Sequence, residues 1–190
     1  MTVCGGLIFG LWVILVACWA VTGTALKRCD GRSWIWWREI GVRLAFFAAV
    51  MLTLAFLLGP SSQNAPYVFD TNESMGLLGV VLCALGIGLS VLARVTLGRN
   101  WPTSRSSYEN VELITTGPYA YVRHPVYGGM ILAIVGSAMA QSPLWLLPLV
   151  VYGPQFIRSA RREEQFLLDL FPERYPLYMQ RTKMLLPFVL

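Results

Sequence analysis

Three stretches of this chain, Val3 to Leu26, Ile40 to Gly59 and Met75 to Leu97, run long and apolar with no charge except Arg43 and Arg94 near an end. At about 1.5 Å of rise per residue, each is long enough to cross a hydrocarbon core of roughly 30 Å. Only 13% of residues are charged and 56% are hydrophobic, whereas a soluble domain carries roughly 25% charged residues. The chain is therefore expected to be an all-α, polytopic membrane protein, and disorder, fibrous repeats and a secreted disulfide scaffold are excluded. Met1-Thr2-Val3-Cys4 lacks the basic start of a signal peptide, so the first run reads as a span.

After a polar interval from Gly98 to Pro125 the chain is apolar again over Val126 to Ala140, turns at Gln141-Ser142-Pro143, and continues apolar from Leu144 to Ile157. These last two arms are short, so they form a tilted or re-entrant hairpin. Pro148 and Pro154 are expected to bend the second arm. From Arg158 onward the sequence is amphipathic and charged and reads as an interfacial or soluble tail. The count is thus about five transmembrane helices.

The formal charge of +5 comes from 15 Lys and Arg against 10 Asp and Glu. The cations do not form the stripe with interleaved aromatics that a nucleic-acid binder presents. They fall between the apolar runs, and with Arg43 and Arg94 snorkelling to the headgroups, all 15 lie on one side of a five-span chain. Positive side chains are retained in the cytoplasm. This puts the N-terminus outside and brings the interval after Leu97 and the C-terminal tail together in the cytoplasm. Residues 1–97 are then a scaffold of three transmembrane helices, and residues 98–190 hold the loop, hairpin and tail.

Cys4, Cys18, Cys29 and Cys83 are scattered, form no C-x-x-C, and have a single histidine to join them. They read as small side chains in or near helices, and no metal site is expected. Gly6-x-x-x-Gly10 and Gly86-Ile87-Gly88 sit inside apolar runs, where small residues serve helix packing. Neither has the strand, helix and third glycine of a dinucleotide fingerprint.

Two segments carry candidate chemistry. The first is Thr116-Gly117-Pro118-Tyr119-Ala120-Tyr121-Val122-Arg123-His124-Pro125-Val126-Tyr127-Gly128-Gly129. Each proline excludes the preceding residue from the helical region, so Gly117 and His124 are expected in turn or extended conformations. Pro125 suits a first helical turn. Arg123 and His124 then stand at a helix mouth whose free N–H groups attract an anion, and glycines at 128 and 129 suit a close approach by a ligand or backbone. The plainer reading makes Arg123 and His124 interfacial anchors and the tyrosines an aromatic belt. The second segment, Arg158 to Phe166 followed by Phe171-Pro172-Glu173-Arg174-Tyr175 and Tyr178, holds Glu163 and Glu164. Arg161 and Glu164 are three apart on a helix, which a surface ion pair explains. Alternatively the twin carboxylates serve a cationic ligand or ribose hydroxyls.

Gly117-Pro118-Tyr119, Tyr121, Arg123-His124-Pro125, Tyr127 and Gly129, then Glu163-Glu164, Phe171, Tyr175, Tyr178 and Pro187, resemble the isoprenylcysteine carboxyl methyltransferase family and related phospholipid methyltransferases. Leu97-Gly98-Arg99-Asn100-Trp101 is similar to the family's approach to its catalytic region, and the resemblance covers about half the chain, from Leu97 to Pro187. It implies a helical membrane enzyme that uses S-adenosyl-L-methionine without a Rossmann domain. By that resemblance Gly117, Tyr119, Arg123, His124, Tyr127, Glu163 and Glu164 bind the cofactor, with Arg123, His124 and Glu164 as the catalytic set. Arg123 and His124 are expected to hold the methionyl carboxylate, and the two glutamates its amino group or ribose. Arg94, Arg99 and Trp101 fall on the side of a lipophilic acceptor entering from the bilayer. Two departures concern that side: Val111-Glu112 stands where the family has a histidine, and Pro102 follows Trp101 in place of a small hydroxyl residue. Two other classes stand beside this one. A sterol-type reductase using NADPH needs extra basic contacts for the added phosphate and more spans. A non-catalytic small membrane subunit binds neither cofactor.

Overall fold

The computed structural model describes residues 3–26, 73–98 and 112–185. The expected span from Ile40 to Gly59, Cys29, Arg99 and Trp101 lie outside the described residues. Within them the chain is all helical: α1 (Val3–Leu26), α2 (Glu73–Leu97), a 3-10 turn (Gly117–Ala120), α3 (Pro125–Ala140), a second 3-10 turn (Pro143–Leu146), α4 (Leu147–Leu170) and α5 (Arg174–Arg181). No strand occurs among the described residues; Val122 and Lys183 form one isolated parallel bridge. One described helix, α2, is long and apolar enough to cross a membrane, and the apolar stretches Val3–Trp19 and Pro125–Ala140 are shorter.

The core is the seam between α2 and α3, and glycine sets its spacing. A Cβ added to Gly79 would lie 2.6 Å from both the Gly136 carbonyl oxygen and the Ala140 nitrogen, and one on Gly86 would lie 2.5 Å from the Gly129 carbonyl oxygen. From the other side, a Cβ on Gly129 would overlap Gly86 and Ser90, and one on Gly136 would overlap Cys83 and Gly79. In lipid the apolar surface gains little by leaving one apolar phase for another, so close backbone packing and buried hydrogen bonds must hold helices together. Both are present. Ser90 Oγ donates to the Val126 carbonyl at 3.1 Å, and Trp12 Nε1 of α1 donates to Ser137 Oγ at 3.0 Å. Trp12 also stacks on Trp145 at 6.4 Å between ring centroids, which joins α1 to the second 3-10 turn.

Packing thus explains Gly86; among the described residues, a Cβ on Gly6, Gly10 or Gly88 would meet nothing within 4 Å. The turn falls as expected: α3 stops at Ala140, and Ser142 Oγ accepts from the Leu144 N–H at 3.4 Å. One boundary differs. The apolar arm and the charged segment after Ile157 are one continuous helix, α4, with Pro154 inside it. Pro148 lies in the first turn, where its missing N–H costs nothing. Pro154 is exposed, so the carbonyl it leaves without an intrahelical partner is on an accessible flank.

Candidate functional site

Three segments converge at the N-terminal end of α3. Gly117 opens the first 3-10 turn at φ +61°, a left-handed conformation that favours glycine. A side chain there would also meet Thr96 at 3.3 Å. The turn closes with the Tyr119 N–H on the Thr116 carbonyl and the Tyr121 N–H on the Pro118 carbonyl, both 3.2 Å. It buries Tyr119 against Ala93 and Val126 and leaves Tyr121 exposed. His124 then takes φ −125°, ψ 62°, and Pro125 begins α3, so both residues before proline are non-helical as their sequence required.

The C-terminal segment is laid along this loop as a strap. The backbone N–H of Arg123 donates to the Lys183 carbonyl at 2.8 Å and that of His124 to the Met184 carbonyl at 3.0 Å. Farther along, the Leu185 carbonyl comes so near Gly128 that an added Cβ would sit 2.6 Å from its oxygen. The close approach expected at Gly128 and Gly129 is therefore made by backbone: the strap at the first, α2 at the second. Upstream, Tyr178 of α5 donates its hydroxyl to the Tyr119 carbonyl at 2.6 Å, and Thr182 Oγ1 donates to the Tyr178 carbonyl at 2.7 Å.

The third segment is the charged half of α4. Phe156, Ala160 and Glu164 recur every fourth residue and are all buried, so Glu164 continues the inward stripe. Its Oε1 accepts from Arg123 Nε at 2.6 Å, and each side chain is only 11% exposed. Arg123 Nη1 donates to the carbonyls of Thr182 at 2.5 Å and Met179 at 3.3 Å. The guanidinium therefore ties α4, α5 and the strap to the loop. Glu163 stands beside this pair and accepts from the Tyr127 hydroxyl at 2.6 Å. His124 lies between the acids, with Nδ1 3.4 Å from Glu163 Oε2 and Nε2 3.4 Å from Glu164 Oε1. Its ring faces Tyr127 at 5.8 Å, and Tyr127 faces Phe156 at 5.2 Å.

Burial and charge oppose each other at His124. Desolvation disfavours the imidazolium, but Glu163 and Glu164 outweigh it and raise the imidazole pKa above its ordinary value. At Glu164 burial favours the neutral acid, while His124 and Arg123 prevail and hold the carboxyl below its ordinary range. Burial pushes Tyr178 up to about 12, and burial reinforced by Glu163 raises Tyr119 as well. The cluster is thus two acids, one permanent cation and one imidazole held toward its charged form.

Of the residues expected to form a site, Tyr119, Arg123, His124, Tyr127, Glu163 and Glu164 are brought together, and Gly117 shapes the turn that delivers them. Of the two readings of Glu164, the surface pair with Arg161 does not form. Arg161 is exposed, whereas Glu164 points inward to Arg123. Nor does Arg123 stand free at a helix mouth, since three hydrogen bonds hold it within the fold. Tyr119 and the half-buried Tyr127 are built into the cluster, and only Tyr121 of these three tyrosines fits an exposed belt. Arg94 is 7% exposed rather than fully snorkelled, with Nη1 3.5 Å from the Gly98 carbonyl. It borders an apolar groove of about 270 Å³ between α1 and α2, with Trp19, Val91 and Val95 among its walls. Sequence reasoning missed Thr182 and the strap carbonyls, and gave no role to Tyr175 and Tyr178. Tyr175 is 1% exposed, and its hydroxyl has no hydrogen-bond partner among the described residues. Its sequence signals are its place among the residues that carry the resemblance and its position at the start of an amphipathic helix.

A family model described as phospholipid methyltransferase matches residues 75–174, which include the loop, the α2–α3 seam and both glutamates. The cobalt-zinc-cadmium resistance protein CzcN of Cupriavidus metallidurans is 30% identical over 155 residues, covering 78% of this chain and 63% of that protein. A probable protein-S-isoprenylcysteine O-methyltransferase of Oryza sativa subsp. indica is 34% identical over 116 residues, 59% of this chain and 61% of that one. The protein-S-isoprenylcysteine O-methyltransferase of Homo sapiens is 28% identical over 119 residues, 60% of this chain and 42% of that one. Each match thus covers less than two thirds of the relative's own length.

Proposed function

The chain belongs to the phospholipid methyltransferase family, and from that we propose that it is a membrane-embedded, S-adenosyl-L-methionine-dependent methyltransferase acting on a lipophilic acceptor. The observation that carries this reading is the meeting of Glu163 and Glu164 with Arg123 and His124, from segments 41 residues apart for the closest pair. The buried His124 Nε2 has Glu164 Oε1 at 3.4 Å and no closer partner among the described residues, and Glu163 beside it is 39% exposed. A ligand bearing both an ammonium and a carboxylate fits such a set. When bound, the cofactor supplies an electrophilic methyl group on a positively charged sulfur.

In this proposal Glu163 and Glu164 contribute the negative charge that favours the cofactor's cations, and Tyr127 and Arg123 hold those carboxylates in place. His124, kept toward its protonated form, is a hydrogen-bond donor more than a resting base. The raised tyrosines are likewise poor proton acceptors at neutral pH. This favours an acceptor that arrives already anionic, a prenylcysteine-like carboxylate or a thiolate, over a lipid amine that must first lose a proton. The groove bordered by Arg94 is apolar and suits an acceptor's hydrocarbon. Arg99 and Trp101 complete the proposed acceptor side, with residues 1–97 as scaffold and residues 98–190 as catalytic region. The proposal includes five spans, an external N-terminus and a cytoplasmic site.

Titration of the detergent-solubilised chain with S-adenosylhomocysteine and, separately, NADPH tests the reading. S-adenosylhomocysteine is expected to bind, and Arg123→Ala and Glu164→Gln are expected to abolish that binding. Near-normal affinity in both variants rejects the site. Binding of NADPH alone turns the assignment to a sterol-type reductase, and binding of neither to a non-catalytic subunit.

A further inference from the structure

A cavity of about 320 Å³ opens beside the cluster, walled by Arg123 and the run from Met179 to Met184. Its volume is at the lower end for small-ligand sites, so it suits one end of a cofactor rather than the whole. Three wall residues, Arg123, Arg181 and Lys183, are cationic, and none is acidic. The cavity and the twin carboxylates share one residue. Arg123 spends Nε on Glu164 and Nη1 on the Thr182 and Met179 carbonyls, and Nη2 makes no bond among the described residues. An α-amino acid carries its opposite charges on two groups bonded to one carbon. A site that receives it needs acids and cations side by side, and Arg123 is where the two meet.

We infer that this cavity is the subsite for the α-carboxylate of the cofactor's methionyl end, with Arg181 and Lys183 joining Arg123 as its binding residues. The inference rests on the cofactor reading above and adds two residues that the loop and twin-glutamate motifs do not contain. It also gives the strap a second task. The segment that aligns Arg123 and His124 through its carbonyls delivers Lys183, and the last residue of α5, two positions earlier, is Arg181.

Two ligands separate this subsite from the rest of the site. S-adenosylhomocysteine carries the amino-acid end; 5′-methylthioadenosine has the same adenosine and thioether sulfur without it. Both are titrated into the full-length, detergent-solubilised chain and into Arg181→Gln, Lys183→Gln and the double variant. Both side chains are exposed, so the fold is expected to tolerate the changes. Each substitution is expected to weaken S-adenosylhomocysteine about three- to tenfold, a charge-assisted bond discounted for solvent exposure. The double variant should lose more, and 5′-methylthioadenosine should be indifferent to all three. Unchanged S-adenosylhomocysteine affinity in the double variant overturns the subsite and leaves the cofactor reading standing. Equal weakening of both ligands overturns it too, since the two residues would then act through the fold. A wild-type chain that binds neither ligand overturns the cofactor reading itself, and the subsite with it.

Discussion

Replacing Arg123 by Met tests whether the cluster is held as described. At 2.6 Å and an effective dielectric of about 20, the Arg123–Glu164 attraction is about 6 kcal/mol before desolvation is counted. Breaking a buried pair by removing one partner typically costs about 3–5 kcal/mol, because the other charge stays buried. Two corrections act in opposite directions. His124, with Nε2 at 3.4 Å, still offsets part of the Glu164 charge, while the Thr182 and Met179 carbonyls each lose a donor, adding about 1 kcal/mol apiece. The expected cost is therefore about 3–4 kcal/mol. The assay is reversible unfolding in mild detergent, run as a double-mutant cycle with Glu164→Gln, with an expected coupling of about 2–3 kcal/mol. Arg123→Lys should recover only part of the loss, since one ammonium cannot reach a carboxylate and two carbonyls with a planar fork. The parallel cycle between Arg161 and Glu164 should give no coupling. A cost below about 1 kcal/mol for Arg123→Met, or coupling of Glu164 to Arg161 instead, refutes the geometry.

Because His124 is the single histidine in the chain, its titration by nitrogen-15 NMR is unambiguous. Its pKa should lie above 6.5 in the wild type and fall when Glu163 or Glu164 becomes Gln. A raised folded-state pKa means that its stabilising contribution is complete below 6.5 and is lost as pH rises through the raised value. The lowered Glu164 works in the opposite sense, stabilising above 4.5 and failing as pH falls through its depressed value. A wild-type imidazole titrating below 6.5 contradicts the placement between two carboxylates. The helix seam gives a third test. Gly136→Ala and Gly129→Ala should cost about 1–3 kcal/mol in the same unfolding assay, since the new methyl meets backbone. Gly88→Ala, where an added Cβ meets nothing within 4 Å among the described residues, should be neutral or stabilising by up to about 1 kcal/mol, and equal effects at all three positions would refute a glycine-set seam.

How much of this was legible beforehand depends on which atoms make each contact. The helices over residues 3–26, 73–97 and 125–140 follow from long apolar runs and from proline at one boundary, and side-chain type alone decides them. The turn at Gln141-Ser142-Pro143 was legible for the same reason, as was the non-helical backbone at Gly117 and His124. The strap was not. It grips Arg123 and His124 through the carbonyls of Lys183 and Met184, and a main-chain acceptor leaves no trace in residue identity. The choice between the two readings of Glu164 is more instructive, because what decides it was visible. Dividing the chain at Ile157, where hydropathy changes, left Arg161 and Glu164 as a local pair on an isolated amphipathic segment. A change of hydropathy does not end a helix, however, and Pro154 removes only one hydrogen bond on an exposed flank. Once α4 is continuous, the four-residue spacing from Phe156 through Ala160 carries the buried face on to Glu164, and Arg161 falls on another face. An acid turned inward needs a cation from another segment, and Arg123, held at the mouth of α3 by the two prolines around it, meets that need. The same helical period places Glu163 about 100° around the helix, where Tyr127 receives it. The pairing of adjacent glutamates with two different partners is thus a consequence of one uninterrupted helix.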